Sequence, residues 1–180
     1  ARAPWIEAAA ATGALSLAAL AALPSPRIFK THAAAADLPI AGVGADGAPP
    51  PAVRVVVVAR DPRDVMVSLY HHSRAIKGIS WGGTWDEWVA LFLRGEAPTP
   101  SAAVGDGGGG GGDWAAHTLG WWRAARRWPD RVLWLTYEQL HADGAAAVRR
   151  AAAFLGVAPS AARVDEIVAA ASFDAMKARH

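Results

Sequence analysis

The sequence predicts an α/β fold of three layers, with a central parallel sheet flanked by helices. Three observations carry that prediction. Val53-Arg-Val-Val-Val-Val58 holds five valines in six positions, the density of a strand buried on both faces. A second strand-like run, Arg131-Val-Leu-Trp-Leu-Thr-Tyr137, lies far downstream. Helical patterns fill the interval and follow the second run, and that order argues for parallel pairing.

Composition narrows the possibilities. A chain of 180 residues fits about one domain and is long enough for a real core. A net charge of +2 makes no strong electrostatic case for nucleic acid. The absence of cysteine excludes disulfides, thiolate chemistry and Cys-ligated zinc, and fits a reducing compartment. The sequence starts at Ala1 and is rich in alanine, so it is expected to be a piece or a processed product of a longer protein.

The first segment, Arg2-Ala-Pro-Trp-Ile-Glu7, is short and mixed in character. The alanine-rich run from Ala8 to Leu23 has 16 residues, short of the roughly 20 that span a bilayer. Glu7 directly before it argues against a signal peptide, so a surface helix or variable loop is expected, ended by Pro24 and Pro26. Arg27-Ile-Phe-Lys-Thr-His32 reads as a short strand. Residues i and i+2 of a strand share a face, which would aim Lys30 and His32 into one cleft. A neutral imidazole there can take a proton, and an ammonium can stabilise developing negative charge. On these residues alone, a solvated edge strand is the better reading. Residues 33–52 read as loop, ending in the Ala48-Pro-Pro-Pro51 linker.

The valine strand stops at Arg60, and Asp61-Pro62 supplies an N-cap oxygen followed by proline at the first helical position. Open α/β sheets place ligands at such strand ends. Guanidinium groups and helix N-termini both favour phosphate. Arg60 therefore either binds phosphate or only pairs with Asp61 or Asp64. The helix is predicted to run to about Ile76, with Val65, Leu69, His72 and Ile76 as a stripe facing the sheet. Ser68 either caps a carbonyl four residues back or reaches a phosphate held by Arg60. Gly78 to Gly83 breaks this helix.

Thr84-Trp-Asp-Glu87 has the pattern of a capping box. Its helix would present Trp85, Trp88, Val89 and Phe92 as an apolar face and stop at Gly95. Residues 97–112, which include Gly107 to Gly112, lack the pattern and the lysine of a phosphate-cradling loop. They read as a flexible insert. Asp113 caps a further helix bearing Trp114, Thr118, Trp121, Ala125 and Trp128 at helical spacing. Nine tryptophans raise the idea of sugar or base stacking, but helical spacing favours core packing. Two more helices are expected, from about Ala145 to Leu155 closed by Gly156, and from Ser160 to about Ala171.

Taken in order, these pieces resemble the cytosolic-type sulfotransferases, which move a sulfuryl group from 3′-phosphoadenosine-5′-phosphosulfate (PAPS) to an alcohol or amine. The matching pieces are Phe29-Lys-Thr-His32, Val58-Ala-Arg60-Asp-Pro-Arg-Asp64 with Ser68 and Tyr70-His71, and Gly83-Thr-Trp-Asp86 with Phe92 and Gly95-Glu96. Further on come Trp121-Trp122, Leu135-Thr-Tyr137-Glu138, Phe154-Leu-Gly156 and Ser172-Phe-Asp-Ala-Met-Lys177. The segment from Arg2 to Glu7 is similar to the family's segment upstream of its histidine.

The resemblance implies a P-loop-nucleoside-triphosphate-hydrolase-like sulfotransferase fold, incomplete here, with residues 1–180 as one partial domain. His32 matches the family's general base, and Lys30 the lysine that polarises the transferring group. Arg60 and Ser68 match the pair that holds the 3′-phosphate. Tyr137 matches an adenosine-side contact, and Ser172, Phe173 and Met176 match the late loop beside the adenine. The family's Thr–Ser–Phe reads Ala171-Ser172-Phe173 here, which removes one hydroxyl. PAPS is the implied co-substrate, with no metal. The implied acceptor is a small-molecule alcohol, phenol or amine, without nucleic-acid or membrane partners. A cytoplasmic location and a homodimer of the full-length protein are also implied.

The family's Gly-rich phosphosulfate loop and its C-terminal 3′-phosphate region find no match in the chain. The expectation is a central fragment, inactive by itself. Two other readings stand beside this one. A nucleotide phosphotransferase of similar form would need a lysine-bearing phosphate loop and acidic magnesium ligands. A non-catalytic module would use exposed tryptophans to bind its partners.

Overall fold

The computed structural model describes residues 3–7, 13, 16–38, 53–77, 79–98 and 113–178. Arg2, most of the first half of the alanine run, the Ala48-Pro51 linker, Gly78 and the Gly107–Gly112 run lie outside the described residues. In chain order the regular elements are α1 (Leu17–Ala21), β1 (Val55–Ala59), α2 (Pro62–Ala75) and α3 (Trp85–Leu93). They continue with α4 (Trp114–Arg127), β2 (Val132–Thr136), α5 (Tyr137–Ala142), α6 (Gly144–Leu155), α7 (Ala161–Ala170) and α8 (Phe173–Lys177). The chain divides into two compact units, one of Ala1–Leu38 with Pro62–Gly120, the other of Pro39–Asp61 with Trp121–His180.

The first unit is organised around Trp88, which is completely buried, with Phe92 and Ala97 beside it. Val65, Met66, Leu69 and Tyr70 of α2 pack on this cluster, with Trp81, Leu91 and Trp114 around it. The predicted stripe on α2 is thus partly corrected. Within this unit it packs with α3, and the buried position of the third turn is Ser73, while His72 is exposed. A buried hydroxyl needs a partner, and Ser73 Oγ–H donates to the Pro98 carbonyl at 2.8 Å. The Trp88 indole N–H likewise donates to the Met66 carbonyl at 3.0 Å.

Pro62 opens α2, as its fixed φ favours. The capping box at α3 forms as predicted: the Glu87 amide donates to Thr84 Oγ1 at 3.3 Å, and the Thr84 amide to Glu87 Oε2 at 2.7 Å. Beyond α3, Gly95 has φ +73°, and a Cβ there would stand 2.9 Å from the Asp113 Cβ. Left-handed backbone and close approach both require glycine at this turn. The alanine run contributes α1, capped by Ser16, whose Oγ accepts from the Ala19 amide at 3.1 Å.

In the second unit β1 and β2 pair in parallel, with Val55 opposite Val132 and Ala59 opposite Thr136. Strand β2 is the buried one, with Val132 at 2% and Leu135 at 4% exposure. The expectation that the valine strand is covered on both faces is not met: Val56 and Val58 are 40% and 51% exposed. Side chains alternate along a strand, so one face of β1 is half-buried and the other meets solvent. Strand β2 ends at Thr136 because its hydroxyl caps α5, a second capping box closed by Gln139.

Helix α6 packs against β2 and α7. It starts at Gly144 under the Asp143 cap and ends at Gly156, φ +76°. Arg54 Nη1 donates to the Leu155 carbonyl at 2.8 Å, which ties the last turn of α6 to the entry of β1. Ser160 caps α7, which buries Val164. Among the described residues no helix is long and apolar enough to cross a membrane.

Candidate active site

The Lys30–His32 segment is held by a single parallel bridge to Trp5. The Lys30 amide donates to the Pro4 carbonyl at 2.8 Å, and the Ile6 amide to the Lys30 carbonyl at 3.0 Å. Extended backbone at this bridge brings both predicted side chains to one indole, as strand alternation requires. Lys30 Nζ lies 5.2 Å from the centroid of the Trp5 ring. The His32 imidazole lies 5.0 Å from it, tilted by 40°. An ammonium over an indole face is attracted by the ring quadrupole. A cation and an imidazole therefore share one aromatic support, with both side chains exposed.

Thr31, between them, turns to Glu7. Its Oγ1–H donates to Glu7 Oε1, and the same oxygen accepts from the His32 amide at 2.9 Å and the Ala33 amide at 3.0 Å. Burial pushes the Glu7 carboxyl up, but the bonds from Thr31 and from backbone amides outweigh it and hold the group below its usual value. It stays ionised at neutral pH.

The second group sits where the two strands end. The register pairs Ala59 with Thr136, so one residue further Arg60 comes beside Tyr137 and Asp61 beside Glu138. The Arg60 guanidinium stands 4.4 Å from the centroid of the Tyr137 ring. The ring is in contact with His141 at 4.5 Å. The Asp61 amide donates to Glu138 Oε1 at 3.0 Å. That bond is the main reason the exposed Glu138 carboxyl lies below its usual value. A half-buried guanidinium backed by an aromatic ring suits a phosphate oxyanion.

Ser68 is exposed on α2. Ser172 caps α8, its Oγ accepting from the Ala175 amide at 3.3 Å, while Phe173 and Met176 are 67% and 49% exposed. The structure thus brings Lys30 together with His32, and Arg60 with Tyr137, while Ser172 has a capping role. Sequence reasoning gave no role to Trp5, Glu7, Glu138 or His141, though it placed Glu138 at the end of the second strand. For the first two the signal was present only as a segment ahead of the histidine, with no role attached.

The sequence model described as the Sulfotransferase domain matches residues 1–180. Bovine sulfotransferase 1A1 is 31% identical over 176 residues, covering 98% of this chain and 53% of the relative. Human sulfotransferase 2B1 is 34% identical over 177 residues, covering 98% and 42%. The chain spans about half the length of the curated relatives it matches. In three dimensions it resembles mouse sulfotransferase SULT7A1 complexed with PAP, with TM-score 0.68 and 23% identity, over 88% of this chain and 50% of the other. It also resembles retinol dehydratase in complex with androsterone and the inactive cofactor PAP, with TM-score 0.62 and 28% identity, over 89% and 41%. A match along its whole length, with relatives above 30% identity, means that the chain belongs to the sulfotransferase domain family.

Proposed function

We propose that this chain forms part of an enzyme that transfers a sulfuryl group from PAPS to a hydroxyl or amine of a small-molecule acceptor. One observation carries the reading: in a chain of this family, Lys30 and His32 lie against one indole, side by side on an exposed segment. His32 takes the proton from the acceptor as general base. Lys30 stabilises negative charge that develops on the transferring group.

The residues of the chain fit the co-substrate. Arg60, half-buried and stacked on Tyr137, offers a guanidinium to the 3′-phosphate, and Ser68 offers an exposed hydroxyl to the same group. Tyr137, Ser172, Phe173 and Met176 serve the adenosine side, with the two exposed apolar side chains as stacking surface. When bound, PAPS supplies an activated sulfuryl group on a phosphate leaving group. In-line transfer of this kind depends on positioning and electrostatics, which is what a base, a lysine and an arginine provide. The enzyme acts outside the bilayer on acceptors such as alcohols, phenols or amines, in the cytoplasm, and its full-length form is a homodimer. Relatives solved with PAP, the product form of PAPS, support the choice of co-substrate.

The test is His32→Ala in the full-length protein. Turnover should fall by about 10²–10⁴-fold while affinity for 3′,5′-ADP stays unchanged. A variant of near-normal rate would remove His32 from the role of base.

A further inference from the structure

We propose that Glu7 is a positioning residue for His32: one carboxylate oxygen gathers the Thr31 hydroxyl and the His32 and Ala33 amides, fixing the backbone that carries the imidazole. The inference rests on the reading of His32 as general base and assigns to that site a residue far away in sequence.

Three donors from three consecutive residues converge on Glu7 Oε1. Bonds to an ionised acceptor are roughly twice as strong as neutral ones. The Ala33 amide also reaches Thr31 Oγ1 at 3.0 Å, which closes a small network around the histidine. The other carboxylate oxygen, Oε2, is buried and has no hydrogen-bond partner among the described residues. Such a group is costly to place.

Holding the two segments together does not require that carboxylate. The backbone bonds at the Trp5–Lys30 bridge already do so. What Glu7 adds lies one step further along, on the residues flanking His32. Trp5, two positions before Glu7, meets the imidazole itself at 5.0 Å. The same short segment therefore restrains the ring through Trp5 and its backbone through Glu7. A base must sit within about 2.6–3.2 Å of the proton it takes, and a 1 Å displacement costs about 10²-fold in rate.

The first test is a titration of the full chain by NMR, following the Glu7 side-chain carboxyl carbon and the His32 and Ala33 amides. Both amides should follow the carboxyl along one curve, with its midpoint below the usual glutamate value. Thr31→Val, which removes one donor, should move that midpoint up. The other ionisable groups of the segment, Lys30 and His32, both lie at the Trp5 ring and are read through their own side-chain nuclei. Amides that ignore the carboxyl overturn the proposal.

The second test is kinetic and uses the full-length protein. Glu7→Ala should lower kcat about 10²-fold with the acceptor KM and 3′,5′-ADP affinity unchanged. Glu7→Gln, which keeps an acceptor oxygen in place, should recover most of the rate. Equal losses in the two variants, or a loss expressed in KM, overturn it. If wild type shows no PAPS-dependent turnover, the reading of His32 as base fails. The amide titration still decides whether Glu7 holds the segment.

Discussion

Arg60 owes its neighbour to strand register. Its position at the end of a valine run is visible in the sequence, and so is the helix that opens at Pro62. Its stacking partner Tyr137 is not, because 77 residues separate Asp61 from Glu138 in the adjacent pair and only the pairing of β1 with β2 brings them together. The same distinction holds at His32. Its shared face with Lys30 follows from the period of a strand, whereas Glu7 and Trp5 are reached only through a fold that closes 25 residues. The stacked guanidinium makes a prediction of its own. Arg60→Lys keeps the charge but loses both the planar fork and the stack on Tyr137. Affinity for 3′,5′-ADP should fall about tenfold or more with little change in thermal stability. Calorimetric titration measures it, and a lysine variant that binds as tightly as wild type would rule out the bidentate role.

Helix ends were the most readable elements, since their chemistry is local. Thr84 with Glu87, Asp113, Gly156 and Ser160 all stand where the sequence puts them. Thr136 with Gln139 has the same spacing and forms the same box, yet it was hidden because the strand run flows directly into it. The buried face of α2 was misplaced by one position for a different reason. Val65 and Leu69 pack inward as expected, but Ser73, bonded to the Pro98 carbonyl, is buried in place of His72.

The box at α3 can be tested through both members. Thr84→Ala should cost about 1 kcal/mol at neutral pH, read by denaturant unfolding. The Thr84 amide and then its hydroxyl hold the Glu87 carboxyl below its usual 4.5. A carboxyl lowered by folding stabilises the folded state above its unfolded pKa, and this is lost as pH falls through the folded value. Protonation removes the hydroxyl–carboxylate bond that only wild type has, so the gap between the two proteins should narrow in acid. A gap that stays constant with pH would detach Glu87 from the cap.

For the whole molecule, strand–helix–strand order was enough to predict parallel pairing, and β1 with β2 confirms it. Coverage of the strands was not readable in the same way. Five valines in six positions state a preference for extended backbone, while burial depends on which elements arrive in space. Hence Val56 and Val58 remain exposed. The tryptophans illustrate the converse. Of the nine, Trp85 and Trp122 are exposed at 38% and 43%, whereas Trp88 and Trp121 are in the core at 0% and 3%. A module that binds through its tryptophans would hold far more of them at the surface. A phosphotransferase is separated from a sulfotransferase by ligand choice. Ligand at a hundredfold excess over its Kd stabilises the folded state by about 2.7 kcal/mol, and on the full-length protein 3′,5′-ADP should raise Tm by about 5–10 °C. ATP with magnesium should give a markedly smaller shift, and His32→Ala should leave the 3′,5′-ADP shift intact, because a base that acts on the acceptor contributes little to holding the co-substrate. A larger shift with ATP and magnesium would reassign Arg60 and Ser68 to a nucleoside triphosphate. No shift with either nucleotide would return the exposed tryptophans to consideration as the binding surface.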